Sequence, residues 1–95
     1  MADNSLIHVK TESGFECDVN VRALNDMRML DDLVELDNGN ASVYPRIINR
    51  LLPPEQKERL YEHIQDEDGV VPIEKFGEEL KQIFAAIGAN NSAKK

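Results

Sequence analysis

The chain reads as mainly α, with an N-terminal β-hairpin followed by about four short helices packed as a single small domain over residues 6–88. Three observations lead to this expectation. Two short runs near the start alternate apolar and polar residues on either side of a turn, the repeat of half-buried strands. Beyond residue 20 the apolar residues return every third or fourth position, the repeat of a helix with one buried face. The helical blocks are separated by Asn38-Gly39, Pro53-Pro54 and Asp66-Glu67-Asp68-Gly69, all strong breakers.

In the hairpin, Ile7 and Val9 alternate with His8 and Lys10, and Thr11-Glu12-Ser13-Gly14 supplies the turn. Phe15, Cys17 and Val19 then alternate with Glu16, Asp18 and Asn20. A lone hairpin is marginal in water, so the Phe15/Cys17/Val19 face must pack on helices. Residues 1–5 are polar and are expected to be loose.

The first helix is expected over about 21–36, with Val21, Leu24, Met27, Leu30, Leu33 and Val34 as its inward stripe. Asp18 or Asn20 caps its start, and Asn38-Gly39 stops it. A second helix, over about 42–52, pairs Val43, Tyr44, Ile47, Ile48, Leu51 and Leu52 one turn apart. Ser42 is its cap and Pro45 lies in its first turn, where no N–H is needed. Pro54 opens a third helix to about residue 65, with Leu60, Tyr61 and Ile64 inward. The fourth follows Pro72 with the stripe Ile73, Phe76, Leu80, Ile83, Phe84 and Ile87. Gly88 is expected to end it, leaving 89–95 as a disordered tail.

Composition narrows the function. Ninety-five residues make one domain, and with 41% apolar residues but no Trp the core is aliphatic. A net charge of −7 argues against nucleic acid and against anionic membrane surfaces, both of which attract clustered Lys and Arg. It favours solubility, or a basic partner. The single cysteine, Cys17, cannot form an internal disulfide. The longest apolar run, 83–87, is far too short to span a bilayer, and no signal peptide is evident, so a cytoplasmic protein is expected.

The sequence offers no constellation suited to catalysis or metal binding. With Gly69 at the sixth position of a calcium loop, Ile64 falls first and Lys75 twelfth, where oxygen ligands are needed. The segment reads instead as a turn with glycine at positive φ. His63 and Glu67 share a helix face but gain no further ligand, so no metal is expected. The pairs Asp31-Asp32 and Glu78-Glu79 splay across their helices instead of converging. Cys17 lies on the apolar strand face and reads as a packed small hydrophobe. No phosphate loop, GxSxG or HExxH occurs, and neither catalytic residues nor a cofactor are expected. Arg46 and Arg50, one turn apart, are expected to pair with acids of the first helix, and Glu55 with Arg59. Gly77, inside a helix, costs about 1 kcal/mol relative to Ala, which suggests that another backbone approaches there.

The run Leu51-Leu52-Pro53-Pro54-Glu55-Gln56-Lys57-Glu58-Arg59-Leu60-Tyr61-Glu62-His63-Ile64, with Gln65-Asp66-Glu67-Asp68-Gly69 and Val71-Pro72-Ile73-Glu74, resembles tail assembly chaperones of long-tailed bacteriophages, especially those of Gram-positive hosts. Phe15-Glu16-Cys17-Asp18-Val19, leading into Leu24-Asn25-Asp26-Met27, resembles the opening of that family. The likeness spans about residues 14–87. It departs at Pro53-Pro54-Glu55-Gln56, where the family has Gly-Glu-Glu-Gln.

The resemblance implies a non-enzymatic protein of the host cytoplasm, absent from the mature virion. It would coat the aggregation-prone tape measure protein and associate with itself as a homo-oligomer. A longer, frameshifted form would recruit the tail tube protein, its extension joined to the tail at 90–95. Met27 and Met29 lie on different sides of the first helix, so both are unsuited to one core, and Met adapts to varied surfaces. Candidate partner contacts are therefore Met27, Met29, Asp31, Asp32, Glu35 and Gly77. The alternative is a small acidic adaptor or anti-repressor-like regulator that engages a basic protein.

Overall fold

The structure is a computed structural model that describes residues 6–93, with side chains as far as Gly88. It is mostly helical, an antiparallel hairpin followed by four α-helices. Strands β1 (Leu6–Lys10) and β2 (Glu16–Asn20) pair with Ile7 opposite Val19 and Val9 opposite Cys17. Period-two alternation puts Val9, Cys17 and Val19 on the buried face, and Phe15 joins them from the turn. The turn closes as Thr11 N–H donates to the Phe15 carbonyl (2.8 Å) and Gly14 N–H to that of Thr11 (3.0 Å). Gly14 takes φ +97°, a conformation costly for any residue with a Cβ.

On the outer hairpin face the imidazole of His8 bridges two carboxylates. Its Nδ1 lies 2.9 Å from Asp18 Oδ1 and its Nε2 lies 2.8 Å from Glu16 Oε1. The hydrogen bond to Glu16, then that to Asp18, holds the His8 pKa above its usual value, and His8 in turn lowers that of Glu16.

The helices follow as α1 (Met27–Asp37), α2 (Tyr44–Leu51), α3 (Pro54–Ile64) and α4 (Ile73–Ala93). The hairpin lies against α3 and α4, fixed by side chains that answer its unpaired amides. Gln56 Oε1 accepts from Asp18 N–H (2.7 Å), and Gln82 Oε1 accepts from Glu12 and Ser13 N–H (2.7 and 3.3 Å). Phe15 packs on His63 with ring centroids 5.4 Å apart, while Ser13 Oγ is 2.9 Å from His63 Nε2. The core runs through Phe15, Val19, Met29, Ile47, Ile48, Leu51, Leu60, Leu80 and Ile83. The acidic turn is closed locally, with Asp66 Oδ1 accepting from Asp68 and Val70 N–H and Gly69 at φ +81°. Among the described residues no helix is long and apolar enough to cross a membrane.

Several expectations are corrected. The first helix does not run unbroken from Val21: Val21–Asn25 is a 3-10 turn capped by Asn20, and Asp26 is extended, its carboxylate capping α1 at Arg28 N–H. This break resets the helix phase. Met27, Leu30 and Val34, expected inside, are 65%, 50% and 52% exposed, and Met29 with Asp32 is buried in their place. Asp32 goes in because it has partners. Arg46 Nε and Nη2 donate to its Oδ1 (3.2 and 3.0 Å) and Arg50 Nη1 to its Oδ2 (2.7 Å). The pairing expected of Arg46 and Arg50 with acids of the first helix is thus found, and these guanidiniums, that of Arg46 first, hold the Asp32 carboxyl below its usual range.

Asn40, not Ser42, caps the chain before α2, where a 3-10 turn (Ala41–Val43) precedes the helix. Arg59 faces the hairpin instead of Glu55, its guanidinium 5.6 Å from the Phe15 ring centroid. On α4, Ile73 is exposed, whereas Glu79 is buried with Oε1 lacking any hydrogen-bond partner. Gly88 does not end α4, which continues to Ala93, so most of the tail expected over 89–95 is helical. The expectation for residues 1–5, and that for 94–95, lie outside the described residues.

Two measurements check this packing. Met29→Ala costs about 2–5 kcal/mol in denaturant unfolding, since it opens a cavity, whereas Met27→Ala stays within about 0.5 kcal/mol. The His8 clamp has a pH window. Its share from His8 is complete below pH 6.5 and fades as the pH rises through the elevated pKa, while that from Glu16 is complete above pH 4.5 and fades below it. The His8 ring therefore titrates above pH 6.5 by NMR, and Glu16→Gln moves the midpoint back toward that value.

Candidate helix-binding groove

Helix α1 sits on α2 through Met29 and Asp32 and leaves its Leu33/Leu36 side unfilled. Leu33 and Leu36 are half-buried, as is Phe84 across from them on α4. Between the two helices lies a groove of about 610 Å³ lined by Leu33, Leu36, Tyr44, Gly77, Leu80 and Phe84. Asp37, Glu74, Glu78 and Lys81 also line it, three acids to one base. Apolar walls with charged edges suit the apolar face of an amphipathic helix.

Tyr44 divides this groove from a smaller apolar pocket of about 270 Å³ formed with Pro45, Tyr61, Val71, Ile73 and Phe76. Its ring meets Phe76 edge-on at 5.0 Å, and Phe76 meets Tyr61 at 6.1 Å. Such tilted pairs fix ring positions more firmly than burial alone.

Gly77 explains how the tyrosine reaches this place. A Cβ at Gly77 would lie 2.6 Å from Tyr44 Oη and 3.4 Å from its Cζ. The close approach expected at this glycine therefore exists, but a side chain makes it and not a backbone.

The six candidate contact residues separate accordingly. Gly77 lines the groove. Met27, Asp31 and Glu35 are exposed on α1, with Glu35 Oε1 accepting from the Asn40 amide (3.2 Å). Met29 is buried in the core and Asp32 is buried and ion-paired within the chain, which removes both from any partner surface. Leu33, Tyr44 and Phe84 belong to the inward stripes expected from periodicity, and Leu36, outside the stripe of the first helix, joins them in the groove. A stripe that wide on α4, from Ile73 to Phe84, was the only hint that part of it remains uncovered.

A second concavity, between the hairpin and α3, is polar, lined by His8, Glu16, Asp18, Gln56, Arg59 and His63. Most of these groups already bind one another or the hairpin backbone. Cys17 beneath it is buried, and burial pushes its thiol up to about 11, away from thiolate chemistry.

Comparison with protein-family models, with curated proteins and with solved structures found no match for the chain.

The Tyr44–Gly77 contact predicts a coupled pair of substitutions. Gly77→Ala lowers the melting temperature of the natural chain. In a Tyr44→Phe background the same change raises stability by up to about 1 kcal/mol, the helix propensity of Ala over Gly once the hydroxyl is gone. A double-mutant cycle by thermal unfolding measures the difference.

Proposed function

We propose that this protein is a non-enzymatic helix-binding chaperone, holding an amphipathic helix of a larger polypeptide in the groove between α1 and α4. The observation that carries this reading is the groove itself, apolar along its walls and open to solvent between two helices of the domain. With the resemblance of residues 14–87 to phage tail assembly chaperones, the partner is the tape measure protein. That polypeptide is a long helical chain whose apolar faces stay exposed until the tail tube encloses it. The acidic surface, with a net charge of −7, would keep such a complex in solution. On this reading the protein acts in the host cytoplasm and leaves before the virion is complete.

The acidic edge of the groove supports a second reading, an adaptor that engages a basic helix of a regulatory protein. Both readings use the same surface and differ in the partner.

Co-expression with the tape measure polypeptide of the same genome separates them. The chaperone reading expects a soluble complex with several copies per long chain, measured by size exclusion with light scattering. Leu33→Asp and Phe84→Asp, at half-buried groove positions, lower the recovered complex at least about tenfold, while circular dichroism stays native. An insoluble tape measure protein beside a freely eluting chaperone sinks the reading.

A further inference from the structure

The apolar pocket behind Tyr44 differs in chemistry from the groove it adjoins. Three rings line it, those of Tyr44, Tyr61 and Phe76, and Pro45, Val71 and Ile73 add apolar wall. Among the described residues no charged side chain lines it, whereas the groove has Asp37, Glu74, Glu78 and Lys81. Two large apolar side chains stay in water at its margin. Ile73, which lines the pocket, is 67% exposed, and Val70, next to the lining residue Val71, is 55% exposed. Apolar groups left exposed around a concavity mark a contact site more often than scattered ones do.

Size and charge define what enters. A dry apolar cavity of about 150 Å³ accepts a benzene ring, so the pocket of about 270 Å³ has room for a phenyl or indole side chain with its methylene. A cation is disfavoured, because no carboxylate lines the pocket and Tyr61 already carries the Lys57 ammonium 5.9 Å from its ring centroid. Phe76 holds Tyr44 and Tyr61 at tilted contacts of 5.0 and 6.1 Å, presenting edges and faces that suit one more ring better than an aliphatic chain. The groove supplies the rest of the occupant's chemistry. Three acids against one base along its edges complement a helix with basic flanks. Tyr44 lines both concavities, so a single partner reaches both.

We propose that this pocket is the anchor site of the partner helix, taking one aromatic side chain, Phe or Trp, from a basic-flanked amphipathic helix that lies in the groove. The anchor site presupposes the groove as a helix-binding surface and adds to it what selects the helix. Ile73 and Phe76 put the pocket at the start of α4, where Glu74 and Glu78 border the groove. Basic residues of the partner therefore lie within a turn or two of its anchor. A helix without a ring at that place fills the groove, leaves the pocket empty and binds several-fold more weakly.

Indole titrated into the isolated natural chain is the first test, and since the chain contains no Trp its emission is read without background. The expected result is a saturable blue shift with a dissociation constant on the order of a millimolar. Methyl NMR shifts are larger at Ala41, Val71 and Ile73 than at Leu33 and Leu36. Cyclohexanol binds at least about threefold more weakly than indole, and tetramethylammonium does not bind. Ile73→Glu, at an exposed position, abolishes indole binding with native circular dichroism, whereas Ile73→Leu preserves it. In co-expression with the tape measure polypeptide, Ile73→Glu lowers the recovered complex at least about tenfold. Absence of saturable indole binding, shifts confined to the groove, or binding of cyclohexanol or tetramethylammonium as tight as that of indole would each overturn the proposal. So would a complex that survives Ile73→Glu while Leu33→Asp destroys it, which leaves the groove reading standing. Failure of that reading looks different, since the natural chain then forms no complex whatever indole does.

Discussion

A carboxylate withdrawn from water must keep its partners, and in this fold that requirement falls on Asp32. Two guanidiniums from one face of α2 take both of its oxygens, so α1 can lie on α2 in only one rotation. That rotation sends Met29 into the core, turns Met27, Leu30 and Val34 outward, and leaves Leu33 and Leu36 as one wall of an open groove. The open groove therefore follows from where this carboxylate is anchored. Attraction to Arg46 is partly screened because that side chain is well exposed, whereas Arg50 is more enclosed and fixes the geometry more tightly.

The groove is shaped by an analogous constraint on α4. A glycine there allows the Tyr44 phenol to lie against the helix backbone, closing off the apolar pocket behind it. Polar atoms are satisfied elsewhere with economy, as Gln56 and Gln82 each answer amides that the two-stranded sheet leaves unpaired. Glu79 is the exception, buried with one oxygen unanswered, and the contacts among described residues offer no physical account of it.

What the sequence revealed depended on the range of the forces involved. The hairpin, its turn and the Asp66 turn are determined by neighbours, and alternation with glycine placement disclosed them. The faces of α1 differ from the expected ones for an equally local reason: periodicity counts Val21 and Leu24 into one helix with Met27 and Leu30. The extended conformation of Asp26 puts them in separate elements, so a common phase had no meaning. Periodicity also counts charged residues as outward, whereas Asp32 is stabilised inside by residues fourteen and eighteen positions later. The expected pairing of Arg46 and Arg50 contained the correction, since an acid that meets two arginines of a packed helix must face that helix. The groove was not legible, because periodicity tells which residues avoid water and not whether a neighbour arrives to cover them.

The attachment of the hairpin to α4 bears on how the chain acquires its structure during synthesis. Gln82 binds amides sixty-nine and seventy positions earlier, and α4 supplies much of what covers β1. The hairpin is therefore made well before the helix that encloses it. Until α4 has emerged, the hairpin has only part of its packing surface and an uncovered apolar face. The domain cannot close until α4 is made, and that closure joins segments some seventy residues apart, with the loop-closure cost such a separation carries.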